Sequence, residues 1–425
     1  MQEYKPRVTD KLLDFKLHSK GAVVIDGPKW CGKTTSAKQF AKSEIAFGDA
    51  DDAEQNIALA EASLSAVIEG ETPRLFDEWQ EVPLLWDALR YEIDRRNTVG
   101  QFILTGSSIK IPKNTKEDPR RHSGTGRFTY LFMRPMSLFE SGESNGEISL
   151  ASLFDGQRGM TARCKLSLND IAFLSCRGGY PFSTFLDGEY ALSQARDYYE
   201  SVIHEDISRV DGVKRDPEVA AKLMRSYARE IAQAPSLESI AKDVTDVSSD
   251  TVSNYLNALR RIYIVEDAEA WNPNLRSKTA IRTTNTRYFV DPSIAIAALG
   301  LNPGGLIGDM KYFGYVFEAM VFRDLRVYAS VLGGKVYHYR DKSGLECDAV
   351  VVLPNGKYGL VQVKLGQTNE VVDYAVKTLL ELREKIDTEK MQEPSFMLLI
   401  TGTGQVAYQR PEDGVYVVPI GCLGP

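Results

Sequence analysis

The first third of the chain alternates short apolar runs with charged stretches of helical spacing, and each run ends in glycine or polar residues. Ala22-Val23-Val24-Ile25 feeds Gly27-Pro28-Lys29-Trp30-Cys31-Gly32-Lys33-Thr34. Leu75-Phe76 feeds Asp77-Glu78, and Phe102-Ile103-Leu104 feeds Thr105-Gly106-Ser107-Ser108. Such runs predict strands, with helices over 35–42 and 83–96. Residues 141–165 are rich in Gly, Ser, Glu and Asn and read as a loop and boundary, followed by helix over 190–209. Apolar residues recur at helical spacing over 218–232, 235–244 and 251–262, with Ser248-Ser249-Asp250 placed to cap the third helix. After Asp291-Pro292 and Asn302-Pro303-Gly304-Gly305 the order changes. A helix is predicted over 312–330, strands over 335–340, 347–353 and 358–364, a helix over 371–384 and a strand over 396–401. The pattern is α/β and multidomain: a nucleotide-binding domain at 1–140, a helical lid and linker at 141–215, a winged-helix domain at 216–292 and an α/β domain at 305–425.

Composition narrows the class. The 425 residues, 43% apolar and 26% charged, suit a soluble globular chain too long for one ordinary core. No run approaches the ~18 apolar residues that span a bilayer, and Met1–Thr9 lacks a signal-peptide core, so a cytoplasmic protein is expected. Five scattered cysteines without a C-x-x-C pair argue against a zinc ribbon or a disulfide framework. The net charge of −7 gives no global nucleic-acid signature, so DNA binding requires a local patch.

The segment Gly27–Thr34 is a phosphate-binding P-loop. Successive backbone N–H groups can curl around a β-phosphate only where side chains are small, which Gly27 and Gly32 allow. Pro28, Lys29, Trp30, Cys31 and Thr35 complete the lining. Lys33 reaches the β- and γ-phosphates as a point charge, and Thr34 offers its hydroxyl to Mg²⁺. A hydrolytic site also needs acids at a second strand end. Asp77 is the candidate Mg²⁺-organising carboxylate and Glu78 the base that polarises water. At the end of the third strand, Ser107 or Thr105 can bond the γ-phosphate or the attacking water.

These motifs, with Gly126-Arg127 and Pro135-Met136-Ser137-Leu138-Phe139-Glu140, resemble a widespread prokaryotic family of AAA-type ATPases that carry a C-terminal domain of unknown function. The resemblance implies ATP as the nucleotide. It also makes Arg127 the candidate charge-stabilising arginine, acting in cis or from a neighbouring subunit of a homo-oligomer, with Arg120 and Arg121 as competitors.

The three helices over 218–262 suggest a winged helix-turn-helix. The third would read DNA, with Ser253, Asn254, Asn257 and Arg260 facing outward. Arg276, Lys278, Arg282 and Arg287, with no acids between Ala270 and Val290, fit a basic wing touching phosphates. The alternative is a lid or protein contact.

In the last third, Asp348 precedes Gln362-Val363-Lys364. Residues two apart on a strand share a face, so Gln362 and Lys364 point the same way. Asp348, Gln362 and Glu318 become candidate Mg²⁺ ligands, and Lys364 the stabiliser of developing phosphorane charge. Gly344-Leu345-Glu346-Cys347-Asp348 and Val361–Gly366 are similar to the C-terminal domain of the same ATPase family, which resembles the PD-(D/E)XK nuclease fold. Gln362 stands where that pattern usually has glutamate, removing a negative charge from the metal site. Two functions follow as expectations: a DNA-associated ATPase whose nucleotide state controls the winged-helix and nuclease-like regions, or a nucleotide-dependent switch whose nuclease-like domain is silent and binds a partner.

Overall fold

The computed structural model describes residues 3–48, 52–106, 124–244, 247–272, 284–389 and 391–425. These form two compact units. The first comprises 1–135, 205–214 and 258–263, and the second comprises 136–204, 215–257 and 264–425. Two segments from the middle of the sequence pack with the N-terminal sheet, and the remainder of the middle packs with the C-terminal third.

The first unit is built on five parallel strands: β1 (Ala22–Asp26), β2 (Ser43–Ala46), β3 (Arg74–Asp77), β4 (Phe102–Thr105) and β5 (Phe128–Phe132). Their order is β2-β3-β4-β1-β5. All-parallel strands covered on both faces read as continuous apolar runs, which is why Val23, Val24, Ile25, Phe76, Ile103 and Leu104 are buried. One face packs Phe76, Phe102 and Leu104 against helix Leu85–Arg96 through Leu85, Leu89 and Ile93. The other packs Val23, Ile25, Leu75 and Ile103 against Leu13 and Leu17 of helix Asp10–Leu17. The parallel registers align the C-terminal ends of β1, β3 and β4, with Ile25 opposite Thr105 and Thr105 opposite Asp77. Ligands of open α/β sheets bind at that edge.

The second unit has a seven-stranded sheet. Its strands are β7 (Ala162–Arg163), β8 (Lys335–Arg340), β9 (Glu346–Val352), β10 (Tyr358–Lys364), β11 (Phe396–Thr401), β12 (Val406–Gln409) and β13 (Tyr416–Pro419), ordered β7-β12-β13-β11-β10-β9-β8. β8, β9 and β10 are antiparallel neighbours, and β11 returns parallel to β10 after helix Asn369–Lys385. The stretch 141–165, read as a loop, instead holds β6 (Ile148–Ser149), helix Leu150–Phe154 and β7. β6 pairs with β14 (Leu423–Gly424). Its glycine and serine content served caps and turns between very short elements, including the Ser149 cap of that helix.

Three helices, Pro217–Arg229, Leu237–Asp243 and Ser249–Arg261, stand where the hydrophobic spacing predicts them. They are followed by the antiparallel bridges Val265↔Phe289 and Ala268↔Thr286. Arg276, Lys278 and Arg282 lie outside the described residues. Arg287 is not a phosphate-facing cation: it is buried, and its guanidinium donates to Asp267 at 2.8 Å. Among the described residues no helix is long and apolar enough to cross a membrane. The five cysteines are free and buried.

Candidate functional site

The P-loop leaves β1 at Gly27, whose φ of +154° lies in the region that favours glycine. A Cβ there would sit 2.1 Å from the Met133 carbonyl oxygen. Glycine is needed because the chain leaving β5 crosses the loop at backbone contact. Trp30 (φ 63°) and Gly32 (φ 99°) adopt left-handed conformations, closing the loop before helix Lys33–Lys38. Lys33 is buried and donates to the carbonyls of Gly27 (3.0 Å) and Pro28 (2.8 Å), so its ammonium spans the loop's hollow. Thr35 follows in the first turn of that helix. Two braces escaped sequence reasoning. Arg7 donates to the carbonyl of Cys31 (2.7 Å), and Tyr4 shares a hydrogen bond with Ser36 (2.9 Å). Both partners lie more than twenty residues away, where local patterning carries no signal.

The acids stand where β3 ends. Thr34 Oγ1 donates to Asp77 Oδ1 at 2.8 Å, and Thr105 Oγ1 donates to the same oxygen at 2.5 Å. Thr105, held open beside Ser107 in the sequence, is thus brought to the site by β4, while Ser107 lies outside the described residues, as do Arg120 and Arg121. Glu78 turns the chain with φ 52°, and Gln80 donates to its carboxylate. Gly48 leaves room for it, since a Cβ there would meet the Glu78 side chain at 2.9 Å.

The cis reading of Arg127 fails on placement. It immediately precedes β5, whose Phe128 is in register with Ala22 at the start of β1. The P-loop leaves the other end, roughly 15–20 Å away at ~3.3 Å per residue. There Arg127 forms a two-point ion pair with Asp94 (2.8 and 2.9 Å).

Asp26, the last residue of β1, is a further acid at this edge. Burial raises its pKa to about 6 against the opposing effects of Lys33 and a hydrogen bond from Tyr263. Nothing in the sequence separates this aspartate from an ordinary strand end.

The second unit gathers the C-terminal candidates. Asp348 Oδ2 accepts from the Val363 N–H (2.7 Å) and from Lys364 Nζ (3.3 Å), and Lys364 Nζ also reaches Gln362 Oε1 (3.2 Å). Gln362 is buried and donates its amide to the Glu346 carbonyl at 2.8 Å. Glu318, from helix Met310–Val331, accepts from the Tyr288 hydroxyl at 2.9 Å. Burial and the nearby Asp348 charge push the Glu318 carboxyl well above the usual carboxylate range. Burial alone would lower the Lys364 pKa, but Asp348 and Glu318 outweigh it and hold the ammonium above its ordinary value. Glu318, Glu346 and Asp348 line a cavity of about 490 Å³ with His338 and Arg340. Among the described residues, no group of three His, Cys, Asp or Glu side chains is arranged to hold a metal ion. Glu318, Asp348 and Gln362 are brought to one region, with Lys364 bonded to two of the three.

Comparison with known proteins gives three separate matches along the chain. Residues 19–141 match the family described as an AAA domain, residues 168–304 match a domain of unknown function (DUF8612), and residues 313–423 match another (DUF4143). The uncharacterized proteins Rv2008c of Mycobacterium tuberculosis and Mb2031c of Mycobacterium bovis are each 24% identical over 371 residues, covering 86% of this chain and 75% of theirs. The Walker-type ATPase PABY2304 of Pyrococcus abyssi aligns at 13% identity with a TM-score of 0.42, covering 70% of this chain and 99% of that one. The P-loop and the strand-end acids Asp77 and Glu78 all fall within 19–141, the stretch that is similar to AAA domains.

Proposed function

We propose that the chain binds and hydrolyses ATP with Mg²⁺ and acts on or with DNA, its nucleotide state controlling the winged-helix and nuclease-like regions. The observation that carries the hydrolytic part is the hydrogen bond from Thr34 to Asp77, with Glu78 one residue beyond it. A hydroxyl and a carboxylate held 2.8 Å apart are the hard-oxygen donors that Mg²⁺ takes beside nucleotide phosphates. The ion, when bound, supplies charge neutralisation at the phosphates. Lys33 exchanges the Gly27 and Pro28 carbonyls for phosphate oxygens, Thr105 orients Asp77, and Glu78 accepts the proton of the attacking water. Arg127, remote from its own P-loop, serves phosphates only in a neighbouring copy, which is the place of a homo-oligomer in this reading.

Two features support action on DNA. Asn254 and Asn257 are exposed on helix Ser249–Arg261, the third of the three-helix group. The C-terminal order of helix, three antiparallel strands, helix and parallel strand is that of the PD-(D/E)XK core, with Asp348, Gln362 and Lys364 at the expected strand positions. Steady-state phosphate release with and without single-stranded, duplex and branched DNA tests the reading. Stimulation by DNA is expected, and hydrolysis by Lys33→Ala and Glu78→Gln at the wild-type rate would remove the assigned site.

One observation favours a second reading, a nucleotide-dependent switch with a silent nuclease-like domain. Gln362 replaces a carboxylate, and its amide and carbonyl are already engaged by Glu346 and Lys364. A cleavage assay with Mg²⁺ or Mn²⁺ separates the two. Loss in Asp348→Ala and Lys364→Ala supports cutting, whereas no cleavage by any protein supports the switch.

A further inference from the structure

Two charged residues bracket the start of the P-loop, and each is held by a residue far downstream. On one side, Lys29 Nζ pairs with Asp206 Oδ1 at 2.6 Å, the lysine side chain being 39% exposed and the aspartate only 9%. Asp206 closes the π-helical turn Val202–Asp206, which follows helix Gly188–Ser201. Such turns are rare and concentrate at functional sites. On the other side, Tyr263, a non-glycine residue with φ 59° whose ring packs on Phe132 at 5.1 Å, stands near enough to Asp26 for the two groups to shift each other's pKa. Segments 205–214 and 258–263 belong to the same compact unit as the P-loop. Each continues along the chain into the second unit.

We propose that Asp206 and Tyr263 are positioning residues for the P-loop, so that nucleotide binding and the seating of segments 205–214 and 258–263 form one linked equilibrium. The proposal rests on reading Gly27–Thr34 as a nucleotide site. A P-loop binds phosphate only when its N–H groups already converge, and this one contains a left-handed non-glycine residue, Trp30, that an isolated chain disfavours. Ties at Asp26 and Lys29 hold the loop from both flanks. Linkage then works in both directions: a nucleotide that needs the loop ordered stabilises the two segments, and displacing the segments weakens the nucleotide. By this route the order of the two segments follows the occupancy of the phosphate site.

The test uses the full chain, Mg²⁺ and ADP, with affinity measured by calorimetry. Asp206→Asn and Lys29→Met each remove one charge-assisted hydrogen bond and are expected to raise the Kd about tenfold. The double variant is expected to be no weaker than either single one, because both break the same contact. Asp206→Glu should recover part of the loss. Hydrogen exchange supplies the readout that mere structural support would not move. ADP should slow exchange over 205–214 and 258–263 in the wild type, and that slowing should vanish over 205–214 in Asp206→Asn and over 258–263 in Tyr263→Phe. Unchanged Kd in these variants, additive losses in the double variant, or no ADP-dependent protection overturns the proposal. If Lys33→Ala still abolishes binding in that case, the nucleotide site stands without the clamp. Absence of ADP binding by the wild type removes both.

Discussion

Thr34 and Thr105 donate to the same carboxylate oxygen of Asp77, one from the end of the P-loop and one from β4. β4 lies between β1 and β3, so the P-loop and the acids are not on neighbouring strands, and Thr105 fills the gap. A carboxylate fixed by two hydroxyls is preorganised for a cation rather than free to rotate. Thr34→Val is therefore expected to lower the rate of phosphate release by about 10²-fold, as removal of a transition-state contact does. Thr105→Val, which loosens Asp77 without removing a ligand, should cost less. Measuring kcat and KM separately for the two variants checks the order.

Arg127→Ala should leave hydrolysis within about twofold of wild type when protein is dilute, since an exposed ion pair remote from the site contributes little. A large loss that appears only at high protein concentration would identify a neighbouring copy as the recipient.

Asp26 provides a pH signature. Its folded pKa of about 6 lies above the ordinary 3.8, because burial disfavours the charged form. The proton is thus bound more tightly in the folded state. This contribution to stability is full below about pH 4 and is lost as pH rises through about 6. Asp26→Asn should raise the melting temperature of the nucleotide-free protein at pH 8 and give little gain at pH 4. Melting curves at the two pH values decide it, and an equal gain at both would reject burial as the cause.

The second unit is pinned by an ion cluster. Arg323 is buried between Asp291 (2.8 Å) and Asp324 (2.7 Å), and Asp324 also accepts from the Leu138 N–H at 3.0 Å. Arg323→Met leaves two buried carboxylates facing each other and should destabilise by roughly 3–5 kcal/mol. Urea unfolding at neutral pH measures this directly.

Gln362→Glu restores the missing carboxylate. Without a cation it places a second charge near Asp348 in a buried strand, so the melting temperature should fall. Added Mn²⁺ should raise it again, and by more than in the wild type, because hard cations bind charged oxygens better. A variant that is indifferent to Mn²⁺ would mean that this cluster is not a metal site.

Much of the candidate nucleotide site could be read along the chain because its residues are local. Gly27 to Thr34 are contiguous, and Asp77-Glu78 end an apolar run, so strand, loop and acid could be read as neighbours. The same locality located the three middle helices and the Asp348, Gln362 and Lys364 positions. What failed was long-range. The stretch 141–165 pairs with strands more than 240 residues later, and Arg287 meets an aspartate that turns a basic wing residue into a core ion pair.

By itself the sequence determined which segments form most of the strands and helices and which residues are candidates for phosphate chemistry, because periodicity and side-chain type act over a few residues. Only tertiary structure decided that Thr105 joins Asp77, that Arg127 stands at the wrong end of the sheet, and that Asp206 and Tyr263 flank the P-loop. Those outcomes depend on strand order and on packing between distant segments, whose free energy is set by three-dimensional burial and pairing rather than by any local pattern.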